Sequence, residues 1–170
     1  MALIKASYTV HRAKAYAGMI ADTSLYNVDG TCAAEKDIKV GVAVALSTTG
    51  GVVDGHKVVV DTIAEDSAIV GVTVMSHAYS PEGVYEEGSA TNVLTHGRAW
   101  VLCEKALTEA NRAFGKFVSF NTNGVASDTG TETLYSYTGE WFKTDDEQFD
   151  IVKIQVVQNA GLKTAVVPGV

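Results

Sequence analysis

Residues 68–104 carry the pattern that most restricts the fold of this chain. They read AIVGVTVM, then a polar break containing Pro81 and Gly88, then TNVLT, His96-Gly97 and RAWVLCE. Valine, isoleucine and threonine branch at Cβ, which restricts χ1 in a helix and favours the pleated surface of a sheet. The pattern predicts three strands with no helix between them. A two-residue connection ending in glycine suits a tight hairpin, so we predict one at His96-Gly97.

Alternating side chains predict further strands on both sides of this block. The clearest covers residues 150–158, where Val152, Ile154 and Val156 are expected to face inward. Another is predicted over residues 38–46, with one face formed by Ile38, Val40, Val42, Val44 and Leu46.

Weaker patterns complete the expected set of elements. Gly139 is expected to lie in a hairpin, Thr164–Val167 to form a last edge strand, and Lys105–Asn111 to form the one short helix. About ten short strands and at most one helix predict an all-β fold. We expect a β-sandwich or barrel, of jelly-roll or β-tulip-like type, over residues 38–170.

Residues 1–37 differ from the rest because they show neither a period of two nor one of 3.6. They nevertheless contain several large apolar side chains, which a solvated tail would not retain. We therefore predict an extended, irregular N-terminal arm that lies on another surface. Thirty extended residues reach about 100 Å, far enough to touch a neighbouring subunit.

The composition excludes several classes of partner. The chain has 170 residues, a formal net charge of −7 and 19% charged residues, fewer than the roughly 25% of typical soluble domains. An acidic chain without a basic patch is not expected to bind nucleic acid or an anionic membrane surface. The start of the sequence does not read as a signal peptide, so synthesis in a cytoplasm is expected. Cys32 and Cys103 are expected to be reduced, although their spacing leaves a disulfide open.

Motifs that would carry catalysis or hold a cofactor do not stand out. The histidines do not form a zinc-binding pair, no nucleophile elbow occurs, and the glycine-rich stretch near Gly50 does not have the ending of a phosphate loop. We therefore expect no enzyme, no metal and no cofactor. The alternative is a carbohydrate-binding sandwich or glycosidase that uses Glu86, Glu87 or Asp146. Its stacking platform would consist of Trp100, Trp141, Tyr135 and Tyr137.

The order of several short motifs resembles that of the capsid decoration, or cement, proteins of tailed bacteriophages. Two motifs carry much of the likeness: GMIAD followed by Ser or Thr, here Gly18–Thr23, and NVLT-x-G-x-AWV, here Asn92–Val101. The remaining matches, in chain order, are Gly41–Val44, Gly50–Val52, Ile69–Val74, Tyr85–Gly88, Ala113–Val118 and Asp150–Val156.

This resemblance implies a structural virion protein on the capsid surface. Such a protein would bind the outside of the shell, clamp neighbouring major capsid proteins and pair with itself as a homodimer or homotrimer. Another virion role, as a tail-tube or head-completion protein, stays open. Removing residues 1–30 is expected to leave a folded β domain that no longer binds capsids. The candidate contact residues are Tyr16, Met19, Ile20, Leu25, Tyr26 and Trp100.

The buried face of residues 98–104 cannot be chosen from the pattern alone. Trp100 and Leu102 share one face, while Ala99, Val101 and Cys103 share the other. If Trp100 faces outward, it is the first candidate for a subunit contact.

Overall fold

The computed structural model describes residues 15–50, 52–53, 55–76 and 83–158. Within these ranges the chain forms twelve strands and no helix, which confirms the all-β prediction. The strands are β1 Ile20–Ala34, β2 Ile38–Lys39, β3 Ala43–Leu46, β4 Val52–Val53, β5 His56–Val60, β6 Ile69–Thr73, β7 Val84–Tyr85, β8 Ala90–Glu104, β9 Phe117–Phe120, β10 Ala126–Ser127, β11 Thr131–Phe142 and β12 Phe149–Val156.

Ten of these strands belong to one sheet, which closes on itself twice. The first circuit runs β1-β5-β3-β6-β8 and is closed by pairing between β8 and β1. The second runs β8-β10-β9-β11-β12 and is closed by pairing between β12 and β8. Strand β4 pairs with β5 beside the first circuit, and β2 and β7 form a separate two-stranded sheet. The fold is therefore a barrel-like and sandwich-like arrangement in which both circuits share β8.

Strand β8 spans both circuits because its partners change along each edge. Its first half pairs with β1 on one edge and β6 on the other, whereas its second half pairs with β10 and β12. Arg98 and Ala99 lie at the crossover, since each has a register partner in both β1 and β12. The fifteen residues of β8 thus join the first and last described strands.

Gly97 allows β1 to cross β8 at this point. Its φ angle is +121°, and an added Cβ would lie 2.8 Å from the Cβ of Tyr26. A side chain at Gly97 would therefore be strained in its backbone and would collide with β1.

Two apolar clusters fill the interior. The larger draws on both circuits and includes Val72, Leu94, Val101, Phe120 and Ile154. The second lies among strands of the first circuit and the small sheet, and it includes Cys32, Ile38 and Tyr85. Strand β8 contributes side chains to both clusters and therefore connects them.

Both hairpins predicted within long strands are wrong. His96-Gly97 lies inside β8, and Gly139 lies inside β11. Each glycine has a positive φ, at +121° and +80° respectively. In β11 the register also shifts between Tyr137 and Trp141. The two glycines therefore accommodate irregularities within continuous strands and do not form turns. The sequence alone does not distinguish these two uses of glycine.

The short helix predicted over Lys105–Asn111 is also wrong. This stretch consists of successive turns, with hydrogen bonds from Leu107 N–H to the Glu104 carbonyl and from Asn111 N–H to the Thr108 carbonyl. Leu107 is buried in the larger apolar cluster. A helix this short is only marginally stable without tertiary contacts. In this protein the stretch forms turns instead of a helix, and Leu107 is buried in that conformation.

The structure corrects the expected irregularity over residues 20–34, while residues 1–14 lie outside the described residues. Residues 20–34 form β1, which pairs with β8 and, through Cys32–Ala34, with β5. Register shifts interrupt the β1–β8 pairing at four places, and these bulges remove the regular period that sequence reading relies on. The role of residues 1–37 as an arm that reaches a partner, and the boundary at residue 37, stay predictions.

The predicted faces are partly correct. Val152, Ile154 and Val156 are buried, as are Ile38, Val40, Val42 and Val44, but Leu46 is exposed. In residues 98–104, Ala99, Val101 and Cys103 enter the larger cluster while Trp100 enters a third, smaller one. Both faces of this part of β8 are therefore covered, and Trp100 is only 6% exposed. The edge strand predicted over Thr164–Val167 lies outside the described residues.

We expect Gly71→Ala to destabilise the protein because the new methyl group would collide with the Leu94 carbonyl oxygen where β6 meets β8. Overpacking of this kind costs about 1–3 kcal/mol, so the melting temperature should fall by roughly 5 °C or more. Gly30→Ala is the matched control, since its added Cβ would lie 3.4 Å from Asn92 Oδ1 and Gly30 is exposed. Equal melting temperatures for the two variants would contradict the close β6–β8 approach.

Candidate interaction surfaces

Four of the predicted contact residues are large apolar side chains exposed near the N-terminal end of the described chain. The exposed fractions are 59% for Tyr16, 40% for Met19, 71% for Leu25 and 45% for Tyr26. Isolated exposed apolar residues are common, but a group along one segment indicates a contact site.

Backbone hydrogen bonds hold the Tyr16–Met19 segment in place. Gly18 donates its N–H to the Trp100 carbonyl at 2.7 Å, and its own carbonyl accepts the Met75 N–H at 2.8 Å. Met19 accepts the Trp100 N–H at 2.9 Å. Met75, itself 40% exposed, is thereby brought next to the segment. Sequence reading missed Met75, which lies 56 residues further along the chain than Met19.

Gly18 is required for this approach. Its φ angle is +74°, and a Cβ there would collide with Val40. The glycine therefore lets the segment lie directly on the body of the protein.

Leu25 and Tyr26 occupy the largest interruption of the β1–β8 pairing. Asp22 is the register partner of Arg98 and Asn27 that of His96, so the intervening β1 residues have no register partner in β8. This bulge lies over Gly97, with the Leu25 carbonyl 3.2 Å from the position of an added Cβ there. The Leu25 and Tyr26 side chains are exposed on a backbone that is paired at both ends.

The other two predicted contact residues are directed elsewhere. Ile20 packs against the larger cluster, and Trp100 lies in the third cluster with Ala15 and Ile151. The Trp100 ring is 5.0 Å from the Phe142 ring between centroids and has the Lys153 ammonium 5.5 Å from its centroid. Trp100 therefore supports the segment that carries Tyr16 and Met19 more than it presents a surface of its own.

An apolar groove runs beside Tyr16. It encloses about 550 Å³, and its lining is mostly apolar but also includes Lys143, Thr144, Asp145 and Asp146. The apolar lining comprises Ala15, Tyr16, Ala17, Leu102, Phe142, Phe149 and Ile151. It could accept an apolar side chain of a partner.

Two ion pairs fasten β1 to the body. Asp22 pairs with Arg98 at 3.4 Å, and Arg98 also donates to Gln155 Oε1 in β12 at 3.0 Å. Further along β1, Asp29 pairs with Lys57 of β5 and accepts hydrogen bonds from Thr31. Burial raises the pKa of Asp29, but the hydrogen bonds from Lys57 and Thr31 outweigh it and lower the value to about 2.

A second set of exposed apolar residues lies on the other circuit. Phe114 is 83% exposed, Phe117 53% and Leu134 61%. The sequence analysis did not single out these three residues, and its predicted helix, Lys105–Asn111, ends before Phe114. The strand alternation of β9 and β11 could have placed Phe117 and Leu134 on the outer face.

The aromatic platform of the carbohydrate alternative does not form. Tyr135, Tyr137 and Trp100 are buried. Trp141 is half-buried, with the Arg112 guanidinium 3.3 Å from its ring centroid. Asp146 serves the fold, since its Oδ1 accepts the N–H groups of Gln148 and Phe149, and these bonds lower its pKa.

The cysteines are two separate thiols. Cys32 and Cys103 are both buried and unbonded, and they lie in different clusters. Burial raises the pKa of Cys32 to about 11 and that of Cys103 to about 12. Both therefore stay protonated at neutral pH and act as small apolar groups.

The described part of the chain offers neither a candidate metal cluster nor a candidate membrane-spanning helix. Its His, Cys, Asp and Glu side chains form no group of three or more that could hold a metal ion. None of its segments is a helix long and apolar enough to cross a membrane.

The described residues thus form an all-β protein with two groups of exposed apolar side chains. A family model described as "Structural cement protein (E217 gp24/Pam3 gp6)" matches residues 4–157. The chain therefore belongs to the phage structural cement protein family. Its role is structural and lies in the phage capsid, which makes the virion its location.

A solved structure shows the same fold. A chain from "The capsid of Myoviridae Phage XM1" is similar with a TM-score of 0.57 and 15% sequence identity. The likeness covers 92% of this chain and 98% of that chain. No curated protein matches the sequence.

We expect Asp29→Asn to weaken the attachment of β1 to β5. The pKa of Asp29 in the folded state is about 2, below its ordinary value of 3.8, so its stabilisation is present above about pH 4 and is lost as pH falls toward 2. The free energy of unfolding of the variant should be lower at pH 7 by on the order of 1 kcal/mol. The loss is no larger because solvent screens the half-exposed Lys57. Urea titrations at several pH values measure the free energy of unfolding and its dependence on pH.

The difference between wild type and Asp29→Asn should shrink between pH 4 and pH 2. Asp145→Asn, at an exposed loop position, is the control and should change stability little at any pH. A constant deficit of Asp29→Asn down to pH 2 would rule out the ion pair as its cause.

Proposed function

We propose that this protein binds the outer surface of the phage capsid and clamps neighbouring major capsid proteins, thereby stabilising the head. Membership of the structural cement protein family supports this role. The observation that carries the contact surface is the exposed apolar group of Tyr16, Met19, Leu25 and Tyr26 on a segment fixed to β8. We call this group, together with Met75, the N-terminal contact surface.

The N-terminal contact surface is suited to binding without large rearrangement. Its backbone is held by hydrogen bonds to Trp100 and Met75 and by the ion pairs of Asp22 and Asp29. A surface that is already ordered loses less conformational entropy when a partner binds. Full burial of one Leu or Met side chain contributes roughly 1.5–3 kcal/mol, so a few such residues account for a useful affinity at each site.

Stabilisation of the head follows from mass action. A protein that binds adjacent subunits in the assembled shell, and not the separate subunits, shifts the equilibrium toward the shell. Repeated sites on a lattice add avidity when copies are linked. Neither effect requires catalysis, a metal or a cofactor.

A tail-tube or head-completion role predicts a different behaviour of the purified protein. Tail-tube subunits polymerise as stacked rings, so electron microscopy of the protein alone would reveal rings or tubes. The two closed circuits leave β8 without a free edge along its crossover, where β1 and β12 pair with opposite sides of it. Contact through side chains is therefore better supported than extension of the sheet.

Removal of residues 1–30 is not a clean test of this function. It would delete Ile20–Gly30 of β1, which close the first circuit against β8. Loss of binding would then follow from damage to the fold. Single substitutions in exposed side chains separate the two effects.

We expect Leu25→Ser to reduce co-sedimentation with capsids at least ten-fold, because Leu25 is 71% exposed in the free protein and would be buried in the contact. Tyr16→Ser should act in the same direction. Both variants should melt within a few degrees of wild type, since surface changes usually alter stability by no more than about 0.5 kcal/mol. Binding to purified capsids that lack the protein gives the affinity.

Leu46→Ser is the matched control, since Leu46 is also an exposed leucine but lies on β3, away from the contact surface. It should bind capsids as wild type does. Wild-type binding by both Leu25→Ser and Tyr16→Ser would reject the N-terminal contact surface, and no binding by the wild-type protein would reject the capsid role.

A further inference from the structure

We propose that Phe114, Phe117 and Leu134, the second-circuit patch, form the contact between two copies of this chain. The inference deepens the proposed function by assigning one surface to the partner copy and the other to the capsid. Only the purpose of this pairing rests on the proposed function, because the pairing of two copies can be measured without capsids.

The patch lies on one outer face of β9 and β11. Phe117 in β9 is the register partner of Ser136, and Glu132 is the partner of Ser119. Leu134 lies between these two paired positions, and its neighbours Thr133 and Tyr135 are buried. Alternation along both strands therefore puts Phe117 and Leu134 on the side away from the core.

Phe114 extends the patch along β11. Its Cβ would be 3.4 Å from a Cβ built on Gly139, so it lies beside the later part of that strand. Leu134, Phe117 and Phe114 therefore follow one another along β11. Phe117 and Leu134 therefore share one face, and Phe114 lies beside the later part of β11.

The loop that carries Phe114 is firmly held. Leu107 is buried in the larger cluster, and the Arg112 guanidinium lies against the Trp141 ring. Gly115 donates its N–H to the Tyr137 carbonyl at 2.9 Å, and Lys116 accepts the Tyr137 N–H at 2.9 Å. Exposed aromatic side chains on an ordered backbone are the usual anchors of protein interfaces.

The exposed apolar area suits the centre of a modest interface. Fully buried aromatic side chains cover 150–250 Å² each, so the three residues expose on the order of 400 Å² per copy. A typical stable interface buries about 800 Å² per partner. The patch would supply about half of this, with polar residues around it supplying the rest.

Opposite charges beside Phe117 and Leu134 make this part of the patch complementary to itself. Lys116 and Glu132 are both exposed, they line the same surface cavity, and neither forms an ion pair among the described residues. Lys116 adjoins Phe117, while Glu132 lies two residues before Leu134.

A two-fold axis between Phe117 and Leu134 would explain this arrangement. It would place Phe117 of one copy against Leu134 of the other and Lys116 of one copy against Glu132 of the other. A two-fold contact uses the same patch on both copies, so it requires both charges on one chain. This is why we assign the patch to a second copy rather than to the capsid.

The charge assignment can be tested by reversal and restoration. Lys116→Glu and Glu132→Lys should each weaken self-association of the full chain, measured by sedimentation equilibrium at low salt, by roughly three- to ten-fold. The double variant Lys116→Glu/Glu132→Lys restores opposite charges across the axis and should return the dissociation constant to within about two-fold of wild type. Circular dichroism and melting temperature serve to verify the fold of each variant.

Phe117→Ser tests the apolar centre and should weaken self-association at least ten-fold. Binding of this variant to capsids should retain the single-site contact and lose only the part due to avidity, whereas Leu25→Ser should lose capsid binding and keep self-association. Opposite losses in the two assays would support both assignments together.

Three results would overturn the inference. They are a wild-type protein that stays monomeric at millimolar concentration, a double variant no better than the single ones, and unchanged self-association of Phe117→Ser. Loss of capsid binding by Phe117→Ser with self-association intact would assign the patch to the capsid instead. Loss of capsid binding by Leu25→Ser alone bears only on the proposed function, so the two failures are distinguishable.

Discussion

Strand β8 pairs with four other strands, and each of its edges changes partner partway along its length. This arrangement requires β1 to pass close over β8, which the missing side chain of Gly97 permits. Arg98, next in sequence, binds Asp22 of β1 and Gln155 of β12. The closure of both circuits, and the position of the N-terminal contact surface, therefore depend on a few residues at the crossover.

The sequence was sufficient to predict regular, two-sided strands. Residues 152–156 alternate between buried and half-buried positions, and each of them has a register partner in β8. Elements defined by irregularity were not predictable in this way. Bulges broke the period of β1, Gly139 looked like a turn inside β11, and Lys105–Asn111 had helical composition but formed turns around the buried Leu107.

The exposure of the candidate contact residues was predicted only in part, and their role in contact stays a prediction. Tyr16, Met19, Leu25 and Tyr26 are exposed. Trp100 is buried because Ala15, Ile151 and Phe142 pack against it, a set of contacts that joins distant parts of the chain. Met75 and Phe114 were missed because both lie outside the strands, whereas the alternation of β9 and β11 could have placed Phe117 and Leu134 on the outer face. Composition shows that apolar residues are present, whereas only the fold shows which remain uncovered.

The two contact surfaces lie on different circuits, and β8 connects them. The N-terminal contact surface is bonded to the backbone of Trp100, and the second-circuit patch lies on strands that reach β8 through β10 and β12. The proposed clamp would need such a connection, because force on one contact must reach the other without being lost in a flexible linker.

The pairing of β8 with both β1 and β12 also sets the order in which the chain can complete its fold during synthesis. Every partner of β8 in the first circuit precedes it in the sequence, so that circuit can close once Glu104 has left the ribosome. The second circuit needs β12, whose last residue is Val156. Until then the second half of β8 has no β12 to cover its edge, and unpaired edges invite association with other chains. The completed fold is therefore available only after nearly all of the described sequence has been made.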